Sequence, residues 1–353
     1  MTQDRNRLYL NVVRGTAVFL MIWGHCIQYC AMGSFDVFEN TVFKFIYSFH
    51  MPLFMLISGY LFFFSFQKRS LKELLVHRTQ GMLQPIVMAS IFNVALRQLA
   101  NLFLGAPASI LDGVLLWDLY SFWFLWCVLS GSIAVTLACK TTENTLLQLL
   151  YLILGTVIVA LFREMHLHIF MYPYFVTGFL FGKYRNKIGG MVKRLALVSV
   201  LAFPVMLYFC EGKHFIYNTP VFGTDLPIEE YIRINLFRWS LGFSGCGFVM
   251  LLIKGFLNFA ESKKCFRHLI RGACILGENS LAIYCLSVVL LSGFLPILQE
   301  KAAEILDLGF FLGNMGVYNF VYTPALSLAY GFLLYGAVLL LKKLKLHKIL
   351  FGR

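Results

Sequence analysis

Arg14 and His25 are the two basic residues inside the first long apolar run, Leu8 to Met32, and they stand eleven positions apart. On a helix, at about 100° per residue, eleven steps close three turns to within roughly 20°, so the two side chains share a face about 16 Å apart along the axis. Ionisable groups inside a membrane span are costly, and they usually face a cavity or the bundle interior. An imidazole held there can take a proton from a hydroxyl nucleophile. A guanidinium offers planar, bidentate donors to phosphate. The bland alternatives are a histidine that bridges helices and an arginine that snorkels to lipid headgroups. Taken together, the pair points to a site that runs deep through a membrane.

Other groups could join them. His50, in the second apolar run, reaches a depth comparable to His25, and Asp36 and Glu39 in the intervening loop are candidates to hold an imidazole tautomer. The stretch Ser48-Phe-His-Met-Pro-Leu-Phe-Met-Leu-Ile-Ser58-Gly-Tyr60 combines Pro52, which frees a backbone carbonyl, with Gly59, which permits close backbone approach. Such breaks are tolerated where a cavity or a neighbour satisfies the backbone. Lys68, Arg69, Lys72, His77 and Arg78 follow as further cations, for which ordinary charge sorting is the competing account. Trp123 and Trp126 read either as interfacial belt residues or as a stacking surface for a sugar ring. His166 and His168 flank Leu167 in what reads as an outer loop. No third ligand is placed with them, so no metal site is expected.

These residues must be positioned by membrane helices. The chain has 353 residues, of which 59% are hydrophobic and only 13% charged, with a mean hydropathy of +0.75. A soluble domain could not hide that much apolar surface. Runs of about twenty apolar residues recur from end to end, which predicts an all-α polytopic membrane protein. No internal repeat is visible, and the reading is a single transmembrane domain over 1–353 with a basic cytoplasmic tail at 342–353. The nine cysteines include no Cys-x-x-Cys pair and read as small apolar packing residues. The first run is too long for a signal-peptide core and is expected to be a retained anchor.

Hydropathy divides the chain into ten spans, roughly 10–31, 42–66, 82–104, 119–139, 145–162, 170–182, 195–211, 234–257, 274–295 and 319–341. With the N-terminus in the cytoplasm, 22 of the 30 basic residues fall on the cytoplasmic side. They include the run Lys183, Arg185, Lys187, Lys193 and Arg194, which the short sixth span is needed to place there. That excess predicts both termini inside. Arg97 falls within a span, and Lys44, Arg163, Lys213, Arg233, Arg238 and Lys301 fall at or near the outer side. That side also collects acids: Asp36, Glu39, Asp112, Asp118, Glu164, Glu211, Asp225, Glu229, Glu230, Glu300, Glu304 and Asp307. The net charge of +13 therefore follows from topology. Nucleic-acid binding would need a basic face on a soluble domain, and none is present.

The same residues resemble the membrane-bound acyltransferase-3 family, whose members O-acylate sugars of bacterial surface polysaccharides. The pieces that carry the likeness are Arg14-Gly15 with Gly24-His25, His50-Met-Pro-Leu-Phe followed by Ser58-Gly-Tyr60, Phe122-Trp-Phe-Leu125, and Gly277-Glu-Asn-Ser280-Leu-Ala-Ile-Tyr284. The resemblance implies a multi-pass protein of the bacterial cytoplasmic membrane that moves an acyl group, usually acetyl, from cytoplasmic acyl-coenzyme A to a hydroxyl outside. It implies no permanently bound cofactor, with acetyl-CoA as co-substrate. His25 is then the catalytic histidine and Arg14 a donor-binding residue. Three positions depart from the family pattern. Asn11 stands where Asp is frequent, Arg78-Thr-Gln-Gly81 lacks a second basic residue, and Ser287 stands where many relatives have histidine. The appended extracytoplasmic hydrolase-like domain of some members is not seen in this sequence, so the bundle is expected to serve the acceptor itself.

The sequence therefore supports a membrane O-acyltransferase acting on an extracytoplasmic sugar, polysaccharide or lipid-linked glycan. Ser58, Tyr60 and Arg78 are expected to assist Arg14 with the donor. His50, Asp36, Glu39 and Trp123 are expected to support the acceptor side. A transporter or flippase for a glycan or lipid intermediate is the alternative, since an intramembrane Arg, His and Pro would serve a permeation path equally well. Internal repeats and paired broken helices, frequent in transporters, are not seen.

Overall fold

The computed structural model describes residues 3–31, 35–104, 121–160, 166–223, 225–260, 263–293, 310 and 313–352. The side chain of Arg97 and residues Asp112, Asp118, Arg163, Glu164, Glu300, Lys301, Glu304, Asp307 and Arg353 lie outside the described set. Among the described residues there are helices and no strand: α1 Gln3–Cys30, α2 Thr41–Lys68, α3 Leu71–Leu104, α4 Trp123–Lys140, α5 Thr145–Ala160, α6 His166–Tyr208, α7 Ile228–Ala260, α8 Arg267–Glu278, α9 Ser280–Gly293, α10 Thr323–Lys343 and α11 His347–Phe351. Six helical stretches among the described residues are long and apolar enough to cross a membrane, and a seventh if Lys264–Glu278 and Ser280–Leu290 form one broken span. This is a multi-pass membrane protein.

Local chemistry sets several of the boundaries. Asn40 caps α2, its side-chain oxygen accepting from the backbone N–H groups of Val42 and Phe43. Ser70 and Glu73 form a reciprocal capping box at the start of α3. Those hydrogen bonds hold the Glu73 carboxyl below its ordinary pKa.

The chain divides into two compact units. The first comprises Met1–Ala17, Phe38–Arg78 and Trp126–Gly277. At its centre α2, α6 and α7 pack together. Gly59 and Gly178 allow this, because a Cβ on Gly59 would strike the Phe175 carbonyl and one on Gly178 the Leu56 carbonyl. Small residues at such crossings let membrane helices gain close van der Waals contact. Phe62, Phe175 and Phe179 are fully buried around this crossing.

α6 is helical at every residue, yet its two ends lie side by side. Gly242 and Gly245, less than a turn apart on α7, face Tyr174 and Phe203 respectively. On a straight helix those two residues would stand about 43 Å apart at 1.5 Å per residue. Phe175 packs on Phe62, toward the C-terminal end of α2, whereas Phe203 packs on Phe45 and Phe49 nearer its start. α6 therefore reverses direction between Gly182 and Ser199, a stretch that contains Gly189-Gly190 and five basic residues. The apolar runs 170–182 and 195–211 fall on its two arms.

The second unit comprises Val18–Val37, Thr79–Leu125 and Glu278–Arg353. Here the later part of α1 packs on α10 and the turns before it. Trp23 Nε1 donates to Thr323 Oγ1 at 2.9 Å, and the Tyr318 hydroxyl donates to the Ile27 carbonyl at 2.8 Å. Tyr318–Tyr322 form a π-helical turn directly before α10. Gln84 Nε2 donates to the Ile349 carbonyl at 2.7 Å, tying α3 to α11.

Candidate active site

α1 is unbroken from Gln3 to Cys30, so Arg14 and His25 occupy one helix at the spacing the sequence implies. Arg14 is half-buried where α1 meets α8 at backbone distance. A Cβ on Gly15 would strike the Ala273 carbonyl, and one on Gly277 the Asn11 carbonyl. Two of the motif pieces, Arg14-Gly15 and the start of Gly277-Glu-Asn-Ser280, are thus neighbours in the first unit. Their glycines are there because the helices touch.

The C-terminal part of α2 and the start of α3, in the same unit, carry the remaining donor-site candidates. α2 turns about 200° between Ser58 and Tyr60, so these two residues face opposite sides of it. Ser58 shares its side with Phe62 and Phe66, at four-residue steps. The half-buried Arg78 lays its guanidinium 4.6 Å from the centre of the Phe62 ring. Tyr60 belongs to the other side and packs edge-on against Phe64, with ring centroids 5.4 Å apart. The Arg185 guanidinium, from the reversal of α6, lies 5.2 Å from the Phe64 ring centre. Ser58 and Arg78 are therefore brought to one face, and Tyr60 is not.

His50 is buried and its Nδ1 lies 2.9 Å from the Ile46 carbonyl of its own helix. A carbonyl only accepts, so Nδ1 carries the proton and Nε2 is the acceptor of the neutral ring. Glu39 forms an ion pair with Lys44 at 2.6 Å, and Asp36 is exposed ahead of the Val37–Glu39 turn.

In the second unit His25 stacks on Tyr29, with ring centroids 5.6 Å apart, and hydrogen-bonds the Gln28 side chain. Trp123 is half-buried and meets Phe124 edge-on. The Tyr284 ring contacts both Phe122 and Phe124, at 6.4 and 5.6 Å between centroids. The Phe122-to-Leu125 and Ser280-to-Tyr284 pieces thus meet in one aromatic cluster.

Comparison with known proteins settles the kinship. The family model described as an acyltransferase domain, acyltransferase-3, matches residues 7–341. The chain belongs to the acyltransferase-3 family. Two similar proteins are the nodulation protein NolL of Mesorhizobium japonicum, 26% identical over 261 residues, and NolL of Sinorhizobium fredii, 32% identical over 237 residues. The first alignment covers 69% of this chain and 66% of that relative, the second 63% and 62%. The chain thus spans slightly under two thirds of the length of these relatives. No solved structure matches it.

Several contacts in this acyltransferase-3 chain were not visible in the sequence. His166 and His168, expected in a loop, sit in the first turn of α6, and His168 Nδ1 lies 2.9 Å from Ser130 Oγ on α4. That pair is 38 positions apart, and no local spacing signals it. Arg238, read as one of six outer cations, is buried under residues 213–219 and donates from Nη2 to the Thr219 carbonyl at 3.0 Å. Its guanidinium ties this segment to α7.

Proposed function

We propose that this protein is a membrane O-acyltransferase that moves an acyl group, acetyl in the leading case, from cytoplasmic acyl-CoA to a hydroxyl of an extracytoplasmic glycan. The acceptor is a sugar, a polysaccharide or a lipid-linked glycan on the outer side of a bacterial cytoplasmic membrane. The chain crosses that membrane ten times with both termini in the cytoplasm. The basic-residue distribution and the reversal of α6 support this topology, since a doubled-back α6 keeps Lys183 to Arg194 on the side of the other cytoplasmic cations.

The observation that carries the reading is α1 itself. One uninterrupted helix, in a chain of the acyltransferase-3 family, carries Arg14 and His25 on one face, a guanidinium suited to phosphate and an imidazole suited to general base catalysis. Arg14 and Arg78 hold the donor diphosphate, and the pantetheine arm runs outward past Ser58. Tyr60 supports the opposite wall of α2. His25 takes the proton from the acceptor hydroxyl, whose oxygen forms a new bond to the thioester carbonyl carbon while the C–S bond breaks and coenzyme A leaves as thiol. His50, Asp36, Glu39 and Trp123 serve the acceptor side. Donor and acceptor are both transient, and the reaction needs no resident cofactor.

Mass spectrometry of surface glycans from cells with and without the protein tests this reading. An acyl increment on a glycan, present only with the protein, is the expected result. Identical glycans in both strains, with the protein inserted and abundant, would reject it.

A further inference from the structure

Three cations crowd the cytoplasm-proximal end of the first unit in an order that matches the order of charges along coenzyme A. The Ser58 side of α2 continues to Phe62 and then Phe66, each one turn, about 5.4 Å, nearer the end of the helix. Arg78 covers Phe62, and Lys140, the last residue of α4, places its ammonium 4.4 Å from the Phe66 ring centre. Phe66 also meets Phe179 edge-on at 5.1 Å, and Lys183 follows one turn after Phe179 on α6. Lys183 is held in place, since its ammonium donates to Gln148 Oε1 on α5 at 2.6 Å and Gln148 Nε2 donates to the Thr142 carbonyl at 2.6 Å.

Charge sorting alone puts lysines on this side of a membrane, but it does not arrange them this way. Sorted lysines extend to headgroups. Lys140 and Lys183 are instead half-buried, one folded over an aromatic ring and the other tethered by an amide. Neither forms an ion pair with a described carboxylate. Two part-desolvated ammonium groups from different helices, with no ion-pair partner among the described carboxylates, suit a compact dianion. Lysine suits a phosphate monoester as a point charge.

Given the donor reading above, on which this inference rests, we propose that Lys140 and Lys183 bind the 3′-phosphate of the CoA ribose and make the enzyme select the phosphorylated donor. From the thioester outward, CoA presents the pantetheine arm, then the diphosphate, then the ribose with its 3′-phosphate. From Ser58 toward the end of α2, the protein presents a hydroxyl, then Arg78, then Lys140 with Lys183. The two series align, with the diphosphate at Arg78 and the monoester at the lysine pair. A phospholipid headgroup offers similar phosphate chemistry, so the test must separate the two sources.

The experiment uses the full chain in nanodiscs of phosphatidylcholine, and compares binding of acetyl-CoA with acetyl-3′-dephospho-CoA. The wild-type protein should prefer the phosphorylated donor by roughly tenfold or more. Lys140→Gln and Lys183→Gln should each cut that preference roughly three- to tenfold by weakening acetyl-CoA alone, and Lys140→Arg should retain most of it. Variants that weaken both donors equally, or neither, would overturn the proposal. So would variants that change only the dependence of thermal stability on added phosphatidylglycerol, which would assign the lysines to lipid. Binding of neither donor by folded wild-type protein would instead remove the donor reading itself.

Discussion

Gly178 on α6 lies against the carbonyl oxygen of Leu56 on α2, and the space between them cannot hold a Cβ. The Gly59–Phe175 contact repeats the arrangement in the opposite sense, so each helix supplies a glycine to the other's backbone. These contacts hold Ser58 and Phe62 in register with the first arm of α6, which ends at the basic reversal. A methyl group here must push two backbones apart. Gly178→Ala should destabilise the protein by about 1–3 kcal/mol, and Gly178→Leu by more. The midpoint of thermal inactivation in detergent reports this. Gly255→Ala, at a position with open space around it, should leave the midpoint unchanged.

The reversal of α6 makes a topological prediction. Single cysteines introduced at Gly189 and Tyr208, in a background lacking exposed native thiols, should label from opposite sides of the membrane. Gly189→Cys should react only when the reagent reaches the cytoplasm, and Tyr208→Cys should react from outside. Labelling of both from one side would mean that the second arm does not return through the bilayer.

Arg14 should be sensitive to the loss of its fork. Arg14→Lys keeps the charge and loses planar bidentate donation, so CoA affinity should fall by roughly tenfold while the protein still inserts. Equal affinity in the purified variant would favour an arginine that only reaches for lipid headgroups.

How much of this was legible beforehand depends on the range of each interaction. Helix type, the Arg14–His25 spacing and the two apolar arms that flank Lys183 to Arg194 follow from apolar run length and charge, which act locally in sequence. The reversal itself was legible only through charge, because without two separate runs the cations Lys183 to Arg194 would fall on the wrong side. The Gly15–Ala273 and Gly277–Asn11 contacts were visible only as unexplained glycines in family motifs, because their partners lie more than 250 positions away. The Ser130–His168 pair and the burial of Arg238 depend on tertiary packing and left no trace in periodicity. Ser58 and Tyr60 look like one motif in sequence, but the helix sends them to opposite sides.

His50 offers a control for the catalytic assignment. Its Nδ1 proton is committed to the Ile46 carbonyl, which fixes the ring on α2. His50→Ala should keep acyl transfer within roughly tenfold of wild type if the ring orients the acceptor or joins helices. A complete loss of transfer with intact donor binding would move the base from α1 to α2.

The central claim is that His25 is the base. Purified wild-type and His25→Ala protein should be given labelled acetyl-CoA with and without the glycan acceptor, and both thioester cleavage and glycan acetylation followed. His25→Ala should insert and bind donor as wild type does, while acceptor-dependent transfer falls about 10²- to 10⁴-fold. Acetylation of the glycan by His25→Ala at a near-normal rate would contradict the account.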